Sequence, residues 1–296
     1  MSEGYSDEGA PTRQGLLARD EFVRRMGEVV AGSFALVVGA LVVWIVVTQV
    51  DPDLLETIFP RFVEAFGLVL QIVVASSLMS VVLGIFVGLG RISSSGITSR
   101  IAKGYVEFFR GTPLLFQLFV IYFGVPRLWG TGNFPIPDWA VPAAIIGLTL
   151  NHGAYVGEAV RGGINAVPDG QLEAARSLGM SRVQAMREVV LPQAWRNALP
   201  AIGNDQIILV KDTSLLTVIA VPEIMSVFRN VNSTTLDPWT PLLWVALFYL
   251  AITMSMSLLV SLLEEHADWG GAEDERSRIG DALRSIRSSF GRRQNP

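Results

Sequence analysis

Four stretches of this chain carry no charged residue over a length that few soluble helices sustain. They are Val29–Val50 (22 residues), Ala65–Gly90 (26), Trp139–Gly157 (19) and Pro238–Leu263 (26). Bilayer hydrocarbon is about 30 Å thick and a helix rises about 1.5 Å per residue, so each stretch can cross it. Two further apolar windows contain charge. One runs from about Gly104 to Pro126, with Glu107 and Arg110 near its start; the other runs from about Asn197 to Pro222, with Asp205, Lys211 and Asp212 inside. The expected fold is an all-α integral membrane protein with six transmembrane helices. Only 17% of the residues are charged, against about 25% in soluble domains. The first window is too long for a cleaved signal peptide, and no A-x-A site follows it.

Several functions are excluded by what the sequence lacks. There is no cysteine, so thiol chemistry and zinc–thiolate sites are out. The two histidines, His152 and His266, are too far apart for an HExxH-type motif, and no metal site is expected. Neither lysine, Lys103 nor Lys211, stands in a P-loop, so any ATP must be bound by another polypeptide. A net charge of −4 gives no basic excess for nucleic acid. No nucleophile–base set suggests catalysis.

Orientation follows from the basic residues. Segments 1–28, 91–103, 161–196 and 264–296 hold eighteen Lys and Arg, whereas 51–64, 127–138 and 223–237 hold three. The positive-inside rule then makes both termini and the 161–196 segment cytoplasmic, in a plasma or inner membrane. Residues 1–28 and 264–296 read as cytoplasmic tails, irregular or lying on the lipid surface. Residues 29–50 form a first transmembrane helix ahead of a membrane domain at 62–263.

The 161–196 segment is too patterned for a simple connector. Pro168-Asp169 marks a helix start, Gln171–Leu178 favours helix, and Gly179 fits a left-handed position after its end. Ser181 with Gln184 is a capping-box signature for a second helix, which Pro192 should break or kink. A helix–turn–helix at the inner surface is expected.

Within it, Glu173-Ala174-Ala175, then Gly179, then Val189-x-Leu191-Pro192 resembles the EAA loop of ABC importer permeases. The family usually has Ile where this chain has Val189. Phe109-Arg110-Gly111-Thr112-Pro113-Leu114-Leu115 resembles a segment of the polar amino acid permeases. So do Ala154-Tyr155 with Glu158 and Arg161-Gly162-Gly163-Ile164, Leu199-Pro200 with Gly203-Asn204, and Lys211-Asp212-Thr213-Ser214-Leu215. The similarity covers roughly 62–263. It implies a five-helix permease core, preceded here by one extra helix, with a cytoplasmic coupling loop at about 168–192.

The resemblance also implies partners and roles. Two ATP-binding cassette ATPases, carrying the ATP-Mg, would seat the coupling loop through Glu173, Ala174, Ala175, Gly179, Leu191 and Pro192. A second permease, identical or related, would complete the path, and an extracytoplasmic solute-binding protein would deliver an amino acid. ATP energy would arrive as rigid-body motion. In that family the acidic positions of the fifth span help bind the substrate's cationic group, with Glu more usual where Asp205 stands.

Charges inside a membrane are costly and must face protein or water. Asp205 and Asp212, seven apart, share nearly one helix face. They either contact substrate, with Ser214 and Thr112 on the same path, or hold the bundle together. Lys211 points elsewhere. Glu107 with Arg110, and Glu158 with Arg161, are i,i+3 pairs suited to local bonding and gating. Thr112-Pro113 can open a backbone site, since Pro removes a donor. His152 reads as a satisfied polar residue. The competing reading is a stand-alone ion-coupled transporter or channel with Asp205 and Asp212 as its ion site.

Overall fold

A computed structural model describes residues 13–130 and 134–291, with side-chain environments from Val23 to His266 apart from 131–133. The described residues are helical throughout. In chain order the helices are α1 (Arg13–Gln49), α2 (Pro52–Arg91), α3 (Gly96–Gly111) and α4 (Leu114–Arg127). Then come α5 (Ala140–Asn165), α6 (Asp169–Ser177), α7 (Arg182–Ala185) and α8 (Leu191–Asp212). A 3-10 segment, Thr213–Ile219, leads to α9 (Ile224–Thr235) and α10 (Trp239–Gly291).

Both tails are more regular than expected. Helix α1 already begins at Arg13 and α10 continues to Gly291. Arg, Glu and Ala recur in these stretches and are good helix formers, and Arg24 pairs with Glu28 across one turn at 3.7 Å. The rest of the tails, 1–12 and 292–296, lies outside the described residues.

Among the described residues, three helices are by themselves long and apolar enough to cross a membrane: Val23–Gln49, Pro52–Arg91 and Trp239–His266. Helices α3 and α4 pass together, but bent by 103°. The single helix expected between Gly104 and Pro126 is therefore two. Pro113 has no N–H and crowds the residue before it out of helical geometry; Thr112 is extended, with φ −114° and ψ 144°. Helices α5 and α8 are more polar, and they bury Asn151, His152, Asp205 and Gln206 within the bundle.

That bundle is built on close helix crossings. A Cβ at Gly84 or Gly88 of α2 would stand 2.4 or 2.7 Å from Val156 or Val160 of α5. The four-residue glycine spacing lets the backbones approach, as small residues do in membrane helix pairs. Gly163 serves the α5–α8 crossing: its Cβ would lie 2.4 Å from the backbone oxygen of Ala194. At its first turn Asp51 caps α2 by accepting from the N–H groups of Asp53 and Leu54, and its own N–H donates to Thr240 at the start of α10. Buried Glu223 caps α9, accepting from the N–H groups of Met225 (2.7 Å) and Ser226 (2.8 Å). Helix α1 is different. Its apolar window has none of its residues buried against protein.

Gly162 and Gly163 provide an internal comparison. A Cβ at Gly162 meets nothing within 4 Å, whereas one at Gly163 meets backbone that cannot turn aside. Gly163→Ala should destabilise the detergent-solubilised protein by about 1–3 kcal/mol, the usual cost of overpacking. Gly162→Ala should leave its thermal unfolding unchanged. Equal melting temperatures for the two variants would contradict this packing.

Candidate functional site

The break between α3 and α4 leaves the last carbonyls of α3 without partners in their own helix. Two amides take over. Gln117 Nε2 lies 2.9 Å from Phe109 O, 3.0 Å from Thr112 O and 2.8 Å from Thr112 Oγ1. Asn151 Nδ2 donates to Phe109 O at 3.2 Å and to Gln117 Oε1 at 3.0 Å. Tyr105 of α3 donates to the Leu150 carbonyl of α5. The polar break is thereby held against α5.

Beside it lies a cavity of about 410 Å³. The break contributes Arg110, Thr112, Pro113 and Leu114; α5 contributes Asn151, His152 and Tyr155; α8 contributes Asp205, Ile208 and Asp212. The volume falls in the range of small-molecule sites. Its electrostatics are two-sided. The Arg110 guanidinium sits over the Tyr155 ring, 5.1 Å from its centre. Pro113 caps α4 without a side-chain bond, so the positive end of that helix dipole meets the cavity wall at Leu114. Asp212 is the last residue of α8, where the dipole end is negative. Between the two acids stands His152, with Nδ1 3.0 Å from Asp205 Oδ1 and Nε2 3.4 Å from Asp212 Oδ2.

The cavity gathers Thr112, Asp205, Asp212 and Arg110 from the sequence-derived candidates. Ser214 is not among its lining residues; its hydroxyl turns back to the Lys211 carbonyl at 2.7 Å. Lys211 is exposed on another face, as its spacing implied. The expected Glu107–Arg110 pair does not form. Glu107 meets Lys103 at 3.6 Å on the exposed side, and Arg110 goes to the cavity instead. Glu158 and Arg161 do pair, with Arg161 Nε 3.1 Å from Glu158 Oε1, and Arg91 joins at 3.6 Å. His152, Asn151 and Gln117 emerge as site builders. Their signal was available: polar side chains in otherwise apolar spans mark function by default.

The 161–196 segment folds as its pattern demands. Gly179 has φ +89°, its N–H donates to Arg176 O, and the N–H of Met180 donates to Ala175 O. This is the paired bonding of a Schellman end, which needs a left-handed residue. Ser181 and Gln184 form both bonds of the capping box. Pro192 does not break the chain's path. A π-helical turn, Met186–Val190, precedes it and runs straight into α8. Glu173, Ala174, Gly179, Leu178 and Val183 face outward, the last two 83% and 75% exposed. Ala175 is buried, Leu191 packs against the inner core cluster, and Pro192 is exposed at the start of α8. Ala175 and Leu191 thus brace the loop, and the outward surface is Glu173, Ala174, Leu178, Gly179 and Val183.

Known proteins resemble the chain in sequence and fold. The family described as binding-protein-dependent transport system inner membrane component matches residues 80–268. A probable amino-acid permease of Bacillus subtilis is 38% identical over 217 residues, 73% of this chain and 95% of that protein. A nopaline transport system permease of Agrobacterium fabrum is 37% identical over 239 residues, 78% of this chain and 95% of that one. A crystal structure of an amino acid ABC transporter with histidines superposes with a TM-score of 0.66 at 36% identity, over 74% of this chain and all of the other. The chain is therefore a member of the binding-protein-dependent transport system inner membrane component family.

Proposed function

We propose that the chain is the permease subunit of an ATP-driven importer and forms the translocation path for a polar amino acid. It is not the ATPase; ATP-Mg belongs to a partner subunit. The observation that carries the substrate class is the two-sided cavity. Arg110 and the positive end of α4 suit an α-carboxylate, and Asp212 at the negative end of α8 suits an ammonium. The relatives named for amino acids and nopaline fit the same class. Family membership leaves the stand-alone ion-coupled reading without support.

In this reading the membrane is crossed six times. The α3–α4 pair makes one broken crossing, and α5 and α8 make crossings shielded from lipid by their neighbours. The excess of Lys and Arg puts both termini and the α6–α7 loop in the cytoplasm. The outward surface of that loop then docks on one of two ATPases. A second permease, identical or related, completes the path, and a solute-binding protein supplies the substrate outside.

Two sets of variants test this. Asp212→Asn in the assembled complex should weaken amino acid binding by about tenfold or more, as expected when a charge-assisted contact of roughly 1.5–3 kcal/mol is lost. Unchanged binding would remove the cavity from the substrate path. Glu173→Lys should abolish uptake while the protein still inserts and binds amino acid, because the ATPase no longer docks. Gly179→Val should do the same, since a β-branched residue in left-handed geometry costs roughly 1–2 kcal/mol or more. Near-normal uptake in both would refute the coupling role.

A further inference from the structure

The two cavity carboxylates are not equivalent. Both oxygens of Asp205 are held by the protein: Oδ1 faces His152 Nδ1 at 3.0 Å, and Oδ2 accepts from Gln206 Nε2 at 3.2 Å. Asp212 is the open one, with a side chain 29% exposed. Its Oδ2 stands 3.4 Å from His152 Nε2, which has no hydrogen-bond partner although the histidine is only 1% exposed.

His152 thus turns each ring nitrogen toward a carboxylate. Nδ1 bonds a carboxylate, which only accepts, so it carries a proton; a second carboxylate 3.4 Å from Nε2 favours the charged ring. A neutral imidazole has a single N–H and would aim its lone pair at the other acid. The geometry suits an imidazolium. It also answers the burial of Asp205, with Asp212 on the same helix face, which without a counter-charge would be strongly unfavourable. The other cation lining the cavity, Arg110, lies over Tyr155.

We infer that His152 is a resident cation that neutralises Asp205 and leaves Asp212, to which it makes no hydrogen bond, as the one carboxylate open to the cavity, so that the cavity selects amino acids with a single cationic group over dibasic ones. The inference rests on the cavity being the substrate site. Two cations and two anions then line it, matching a zwitterion of zero net charge. A second ammonium or guanidinium on the substrate finds no free acid and meets the imidazolium instead. Asp205 is a positioning residue that acts through His152, and the single ammonium goes to Asp212.

The test is direct binding to the purified permease–ATPase complex without solute-binding protein. Radiolabelled glutamine, serine, glutamate, arginine and lysine are the probes, read by equilibrium dialysis. The wild type should bind at least one of the first three about tenfold more tightly than either base. His152→Asn frees Asp205 and should shift the ratio toward arginine and lysine by about tenfold; His152→Gln should shift it the same way. Adding Asp205→Asn to His152→Asn should restore the original preference. Loss of folding lowers all affinities together and does not move the ratio. Wild-type binding of arginine or lysine as tight as that of the others, or a ratio unmoved in both His152 variants, overturns the role of His152. Absence of any binding, or full binding by Asp212→Asn, overturns the cavity as substrate site.

Discussion

Hydrocarbon offers no hydrogen bonds, and the placement of the polar groups around the α3–α4 break and the cavity answers that constraint. The α3–α4 break exposes carbonyls, so Gln117 and Asn151 are spent on them. The acids of α8 need opposite charge, so His152 lies between them and Arg110 shares their cavity. The helices bearing these groups must be kept from lipid. Glycines at 84, 88 and 163 let their backbones approach closely enough for neighbours to enclose them. Apolar α1 requires no enclosure, and its side chains are left facing outward.

The cavity and the α6–α7 loop are joined by unbroken helix. From the capping box at Ser181 the chain runs without interruption through the π turn and α8 to Asp212. Helix α8, 22 residues long, spans about 33 Å. One continuous helical run therefore links the α6–α7 loop at one end to both cavity acids toward the other, whereas His152 and Tyr155 stand on α5. Motion of the loop relative to α5 changes the distances that define the site. Such coupling requires no chemistry in this chain, only two arrangements of packed helices.

The sequence displayed the parts governed by local rules. Charge-free windows gave the apolar helices. The positive φ at Gly179 and the capping box at Ser181 and Gln184 were readable because turn geometry restricts residue choice. The seven-residue spacing of Asp205 and Asp212 gave their shared face. What escaped was tertiary partner choice. Arg110 had Glu107 within one turn, yet it packs over Tyr155 from another helix while Glu107 bonds Lys103. His152 looked satisfied because nothing local showed that α5 would set it between two acids of α8. A proline at 113 announced a disturbance but not a bend of 103°, which depends on where Gln117 and Asn151 can reach. Pro192 announced one too, and the chain absorbed it by local rewinding.

That rewinding sets a phase. A π-helical turn holds one more residue than the α-helical turn it replaces. Each α-helical residue turns the chain by about 100°, so the five residues Met186–Val190 fix which way α8 faces relative to the loop helices before it. The faces of the α6–α7 loop and the faces that line the cavity are brought into angular register there. Deleting one residue from the regular helix between Pro192 and Asp205, where no π turn absorbs the change, would leave Asp205 and Asp212 pointing about a quarter-turn away from His152.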